Sequence, residues 1–287
     1  MVSRLARRVC VAVTVSALFA AFAAADASAS YRFFQFNMCG QVSGGECNGG
    51  STEPVATAVK RSIVDLQPHA VSLNEACKAQ YDKIRTLLEQ DNTTADGDGT
   101  WKLAGGEWRQ TNFSNDCPNS DFGNAILTRN AITETDSISL AESGAETRKL
   151  VCGLTEIASR ATRACSVHID TDPTIAGTQI RQVRDKVNYY IENGKAVVLM
   201  GDFNVEPPDY QLDPLYHSQI FADEFGFGRF KEVDQGDPAC RCGESTSGTH
   251  KYDYIFLSGG HWKIVDGDAT SSNYSDHDPL RGWADTQ

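Results

Sequence analysis

The sequence predicts a single α/β domain, and three observations carry that prediction. Short extended runs alternate with segments of helical period along most of the chain. The run from Ala196 to Met200 is continuously apolar, as in a strand buried on both faces. No internal repeat, low-complexity linker or break in composition divides the 287 residues, which are enough to bury a substantial core.

The elements follow in order. Residues 1–29 are read as a cleaved signal peptide, not as fold. Arg4, Arg7 and Arg8 form a basic start, residues 9–25 carry no charge, and Ala25-Asp26-Ala27 and Ala27-Ser28-Ala29 fit the small-residue pattern that a signal peptidase reads. The apolar run is short for a membrane span of about 20 residues. The expectation is therefore a secreted domain over 30–287 that works outside the cell as a monomer and does not stay inserted in a membrane. Residues 31–37 read as an aromatic-rich strand. Val55, Val59, Ile63 and Leu66 then mark one helical face, with Thr52 as N-cap and Pro68 as the stop. A strand at 70–73 runs into Asn74-Glu75, and a helix over 78–90 turns Tyr81, Ile84 and Leu88 inward. Residues 92–100 read as a polar loop.

Further strands are expected at 101–103, 124–127, 150–156, 160–169, 196–200, 229–233, 252–257, 262–265 and 280–284. A helix through Ile180, Val183, Val187 and Ile191 is closed by Gly194. A two-residue turn at Ala158-Ser159 joins two of the strands. It sets residue 157 opposite 160, and hence Cys152 opposite Cys165, close enough for a disulfide.

Charge and cysteine usage narrow the class. The chain carries a formal charge of −12. Without residues 1–29 it holds 23 basic and 37 acidic residues, a charge of −14, and eight of the nine cysteines. So acidic a chain does not coat nucleic acid or an anionic membrane by bulk charge. An even cysteine count in an exported chain reads as a disulfide framework. The zinc alternative lacks paired Cys-x-x-Cys knuckles. Cys39 with Cys47 is a second, weaker pairing, and the others stay unassigned.

Polar clusters stand where strands run out: Asn37, Glu75, Asp202 with Asn204, Asp253, and Asp276 with His277. His168 lies on the predicted hairpin. One carboxylate at a strand end is ordinarily a loop or cap residue; the joint pattern means more. Hard oxygen ligands with few His and no Cys suit Mg²⁺, with Mn²⁺ or Ca²⁺ as substitutes. A carboxylate-bound Mg²⁺ beside a histidine suits phosphoester hydrolysis.

Asn37, Leu73-Asn74-Glu75, Gly123-Asn124-Ala125, Val167-His168, Gly201-Asp202-Phe203-Asn204, Tyr252-Asp253-Tyr254-Ile255-Phe256 and Ser275-Asp276-His277 stand in an order that resembles the endonuclease/exonuclease/phosphatase superfamily. The resemblance implies a four-layer α/β/β/α sandwich of two mixed sheets flanked by helices, with a divalent metal at one end. It implies Glu75 as principal metal ligand, Asn37 in support and Asp276 beside the metal. Asp202 and Asn204 would orient the attacking water and hold the phosphate, and Asp253 would fix His277 as general base. His168 would donate to phosphate or leaving group, which points away from abasic-site repair. Asn124 and Arg163 are candidate substrate contacts. Arg129, Arg148 and Lys149 are ordinary strand-end charges or groove cations. Asn74 replaces the usual Gln, and segments 92–121 and 237–248 match nothing in the family pattern.

The expected activity is a secreted phosphodiesterase acting on extracellular DNA or RNA. A sphingomyelinase or phosphomonoesterase of the same superfamily is the alternative, and an inactive binding module of the same fold is a further one.

Overall fold

Alternation along one strand shows how the layers arise. In β1 (Tyr31–Asn37), Phe34 and Phe36 pack with two helices, while Phe33 packs into a separate cluster on the opposite face. A strand's side chains point to opposite faces with period two, so one strand serves two layers.

The computed structural model describes residues 31–40, 43–44, 47–48, 52–91, 101–113, 117, 121–142, 146–217, 227–235 and 241–287. The expected signal peptide, the loop 92–100 and the side chain of Cys47 lie outside the described residues. In chain order, β1 is followed by β2 (Ser43–Gly44), β3 (Cys47–Asn48), α1 (Thr52–Leu66), β4 (Ala70–Cys77) and α2 (Lys78–Asp91). Then come β5 (Gly105–Phe113), β6 (Asp121–Thr128), β7 (Glu134–Ser139), β8 (Lys149–Ile157), β9 (Arg160–His168) and α3 (Pro173–Glu192). The chain ends with β10 (Ala196–Asp202), β11 (Phe230–Glu232), β12 (Asp253–Ser258), β13 (Trp262–Ala269) and β14 (Leu280–Thr286).

These strands form two 6-stranded sheets, in the orders β13-β14-β1-β4-β6-β5 and β11-β12-β10-β9-β8-β7. Both are mixed: β1–β4 and β9–β10 are parallel, the other pairs antiparallel. Val55, Val59 and Ile63 of α1 and Tyr81, Ile84 and Leu88 of α2 pack on the outer face of the first sheet, against Phe34, Val71 and Leu127. Ile180, Val183 and Val187 of α3 cover the second sheet at Val197, Leu199 and Phe256. Between the sheets lie Phe33, Ala70 and Ile126 from one and Ala164, Val198, Met200 and Ile255 from the other. The expected four-layer sandwich is the observed one. Each fully buried Leu, Ile or Phe contributes about 1.5–3 kcal/mol, so these apolar layers carry the fold.

The inter-sheet face changes character along its strands. Phe33, Ala70, Ala164 and Val198 fill one end. On the same faces further along stand Gln35 and Asn37 of β1, Ser72 and Asn74 of β4, Ser166 and His168 of β9, Asp202 of β10 and Asp253 of β12, all buried. This polar end is where the site forms.

Several boundaries differ from expectation. α1 includes Thr52, so that residue opens the helix and does not cap it. Residues 101–103 are not a strand; β5 begins at Gly105. Trp101 is buried in the helix-side cluster and its indole N–H donates to Pro68 O, so packing holds that segment instead of a ladder. β4 continues past Leu73 to Cys77 through an irregularity in its pairing with β6. β7 is an edge strand of alternating exposure that its polar sequence concealed.

The hairpin register is as expected, with Cys152 opposite Cys165 and the two bonded. Ala158 and Ser159 have φ of 57° and 54°, as a type I′ turn requires. Cys77 bonds Cys117, and Cys39 and Cys242 are also disulfide-bonded. The proposed partner of Cys39, Cys47, lies on a segment whose side chains are not described. Among the described residues no helix is long and apolar enough to cross a membrane.

Candidate active site

Glu75, His168, Asp202, Asn204, Asp276 and His277 line one cleft of about 340 Å³, together with Glu146, Arg148, Thr171, Ser247 and Tyr252. Each enters from the end of a strand or the loop after it. Their convergence follows from the sheet orders, which place β1 beside β4 and β10 between β9 and β12.

Asp253 and His277 form the most tightly held pair. His277 Nδ1 lies 2.7 Å from Asp253 Oδ2, and Gln35 Nε2 donates to the other carboxylate oxygen at 3.0 Å. Thr246 Oγ1 accepts from the Asp253 amide at 2.9 Å. The His277 amide donates to Ser275 Oγ, whose hydroxyl donates to Asn37 O. Burial alone would lower the His277 pKa, but Asp253, backed by Asp202 and Asp276, outweighs burial and raises it to about 10.

Asp202 faces this pair. Its Oδ2 lies 3.7 Å from His277 Nε2 and 3.6 Å from His168 Nε2. Asn37 Nδ2 donates both to Asp202 Oδ2 (2.9 Å) and to Glu75 Oε1 (3.0 Å). The amide of Asn204 donates to Asp202 Oδ1 at 2.9 Å, and the Asp202 amide donates to Asn74 Oδ1 at 3.0 Å. Burial raises the Asp202 carboxyl to about 7, with His277 opposing and Asp253 adding. Burial likewise raises Glu75, against its bond from Asn37. Glu75 and Asn204 both sit at positive φ, 51° and 49°. Such conformations cost on the order of 1–3 kcal/mol each outside glycine and gather at functional positions.

Asp202, Asp253 and His277 each offer a ligand atom within 4.8 Å of the others, a grouping compact enough for a metal ion. Asp253 spends both its oxygens on Gln35 and His277, and Glu146 is paired with Arg148, so the cleft carboxylates left for a cation are Glu75, Asp202 and Asp276. That set, all oxygen, fits a hard divalent cation. Asn37 meets these carboxylates through its amide nitrogen, because its Oδ1 accepts from the Cys39 amide at 3.0 Å. Through that nitrogen it holds Glu75 and Asp202 in place.

Two expected substrate contacts lie elsewhere. Arg163 is buried against Tyr190, with its guanidinium on Glu134 at 2.5 Å, nearer the other end of β9 and away from the cleft. Asn124 is buried behind the site, accepting from Asn74 Nδ2 (3.2 Å) and donating to Lys149 O (3.2 Å). His250 stands at the rim, stacked on Tyr252 with ring centroids 5.2 Å apart, its Nδ1 2.5 Å from Glu206.

The motifs leave out Glu146, give Tyr252 no role of its own and leave Arg148 as either an ordinary charge or a groove cation. Arg148 is buried, with Nη1 2.7 Å from His168 Nδ1 and 2.9 Å from Glu146 Oε1. The hairpin register held the signal: Leu150 pairs with Val167, so the chain just before β8 must run beside His168.

A family model described as the endonuclease/exonuclease/phosphatase family matches residues 34–277. The chain belongs to the endonuclease/exonuclease/phosphatase family. The match opens in β1, just before Asn37, and closes on His277, so it spans every cleft residue named above. As a hydrolase of this family the chain carries the buried Asp–His cluster intact.

Solved structures show the same fold at low identity. The human nocturnin catalytic domain, solved with a bound sulfate anion, is 15% identical with a TM-score of 0.67, covering 90% of this chain and 95% of its own. Truncated TDP2 of Caenorhabditis elegans is 16% identical with a TM-score of 0.63, covering 89% and 97%. A family protein of Bacteroides thetaiotaomicron is 13% identical with a TM-score of 0.60, covering 90% and 98%. No curated protein matches the chain.

Proposed function

We propose that this family member is a secreted, divalent-metal-dependent phosphodiesterase that acts as a monomer on nucleic acid. The observation that carries the reading is the Asp253–His277 pair facing Asp202 and Glu75 across one cleft. It joins a proton-transfer group, its orienting carboxylate and an oxygen ligand set.

When bound among Glu75, Asp202 and Asp276, a divalent cation such as Mg²⁺ would polarise the phosphoryl oxygen and relieve the carboxylate field that keeps His277 protonated. The remaining work falls to the chain. His277 Nε2 takes a proton from water, and Asp253, bonded to Nδ1, stabilises the imidazolium that results. Asp202 and the Asn204 amide orient that water. Asn37 keeps Glu75 and Asp202 apart and aimed.

The rim supports nucleic acid as substrate. Tyr252 lines the cleft with His250 stacked parallel to it, an aromatic edge on which a base can stack. The nocturnin catalytic domain, similar in fold, holds a bound sulfate, a tetrahedral oxyanion of the same shape as a phosphate group. The test is to assay purified mature protein with Mg²⁺ on plasmid DNA, RNA, sphingomyelin and a phosphate monoester. Cleavage of DNA or RNA, abolished by EDTA and restored by Mg²⁺, is the expected result. Activity that survives EDTA would end the metal-dependent reading, and turnover of only the lipid or the monoester would reassign the substrate.

A further inference from the structure

The geometry points to Arg148 as a positioning residue that fixes His168 as a neutral hydrogen-bond donor at Nε2, so that His168 holds a phosphate oxygen and does not protonate the leaving group. This inference rests on the phosphodiester reading above and names the task of one side chain within it.

The argument starts from what a guanidinium can do. It donates only, and it does not lose its proton in proteins. Arg148 Nη1 stands 2.7 Å from His168 Nδ1. A proton on Nδ1 would set two N–H groups head to head at that distance, so Nδ1 must present its lone pair. A doubly protonated ring fails for the same reason. The single proton of the neutral ring therefore sits on Nε2. The second proton of Nη1 goes to Glu146 Oε1 at 2.9 Å, which pins the guanidinium from the far side. Arg148 is 8% exposed, and swinging it away would leave a buried charge without its partners.

The other ring nitrogen faces the cleft. The nearest carboxylate oxygens are Asp202 Oδ2 at 3.6 Å and Glu75 Oε1 at 3.8 Å, both too far for a sound hydrogen bond. Asn204 Nδ2, a donor that also bonds Ile169 O at 3.0 Å, lies 3.2 Å away and competes for the ring's single lone pair, but the shorter, charged guanidinium contact at 2.7 Å takes it. The Nε2 proton is thus aimed into the cleft with its capacity unspent, where an anionic phosphate oxygen would satisfy it. In the reaction, water oxygen bonds to phosphorus and gives its proton to His277. The leaving oxygen departs with the P–O electron pair and is protonated by bulk water. His168 ends with the proton it began with.

The test combines a spectrum and a kinetic series on the full mature chain. Histidine nitrogens labelled with ¹⁵N report the tautomer directly at neutral pH, and His168→Gln identifies the signal. The expected wild-type pattern is a protonated Nε2 with an unprotonated Nδ1, lost in Arg148→Met and kept in Arg148→Lys, which still donates. A His168 ring protonated at Nδ1, alone or together with Nε2, overturns the inference. Kinetically, the glutamine amide reproduces a donor near Nε2 but cannot deliver a proton. His168→Gln is therefore expected within about tenfold of wild type and His168→Ala about a hundredfold below. The alanine deficit should be equal for a p-nitrophenyl diester and for DNA. A glutamine variant as impaired as alanine, or an alanine loss that grows with leaving-group basicity, makes His168 a general acid and refutes the proposal. Arg148→Met should lower kcat about tenfold with KM changed less than about twofold; a change confined to KM would make Arg148 a substrate anchor instead. A wild-type chain that cleaves no phosphodiester, yet shows the Nε2–H pattern, would sink the phosphodiester reading and the phosphate contact while leaving the Arg148–His168 tautomer established.

Discussion

His277 gathers three carboxylates around one imidazole, and the balance among them sets what the ring does. Asp253 bonds it, Asp202 lies opposite, and Asp276 is its neighbour in the chain; together they raise its pKa to about 10 against the opposite pull of burial. The proton-transfer role therefore depends on that field being relieved when the cleft is filled. His277→Ala and Asp202→Ala are each expected to lower the phosphodiesterase rate at least about a hundredfold, the scale of a lost acid–base or positioning group. Rates are to be measured on DNA and on a p-nitrophenyl diester, with folding checked by circular dichroism. Near-wild-type turnover in either variant would remove this mechanism. Most of these residues were legible in the sequence because Gly201-Asp202-Phe203-Asn204 and Ser275-Asp276-His277 are contiguous. Arg148 and Tyr252 were not, because their part in the site comes from a cross-strand register and from a ring that happens to face the cleft.

Among elements, the β8–β9 hairpin shows how far local rules reach. A two-residue turn whose residues both take positive φ fixes the register, and the register brings Cys152 to Cys165 without tertiary information. The bond closes a separation of 13 residues, for which chain entropy assigns about 3 kcal/mol. Replacing both cysteines by alanine is expected to lower the unfolding free energy by about 2–4 kcal/mol in urea titration; no change in the midpoint would mean the hairpin packing alone carries that face. Gly201 shows the limit of local rules. A Cβ there would stand 2.0 Å from Val167 O, so β9 and β10 approach closely only because the residue before Asp202 has no side chain. The errors share one physical origin. β7 is polar and lies on an edge, and β5 starts four residues after Trp101 because that indole is drawn into the helix-side core, so neither shows a period that local sequence could display.

At the scale of the molecule, buried charge beyond the cleft makes stability depend on pH. Glu232 is fully buried, and burial raises its carboxyl from the ordinary 4.5 to about 7, with Lys251 at 3.6 Å opposing. Between about pH 4.5 and 7 the folded chain holds a proton that the unfolded chain has released, so stability falls as pH rises through that window. Glu232→Gln removes the ionisation at nearly constant shape. It is expected to raise the thermal midpoint at about pH 8 and leave it nearly unchanged at about pH 4.5; an equal shift at both would show that the carboxyl does not titrate this way. The sequence by itself determined a single α/β domain, the hairpin and its disulfide, and the order of the cleft motifs whose family resemblance implied the four layers, because periodicity, turn chemistry and contiguous motifs are local. Only the tertiary structure decided that Arg163 and Asn124 stand outside the cleft, that Asn37 binds carboxylates through its nitrogen, and that Arg148 faces His168. Those outcomes depend on which side chain arrives from a distant strand with a donor or an acceptor to offer, and neighbours in sequence carry no record of that.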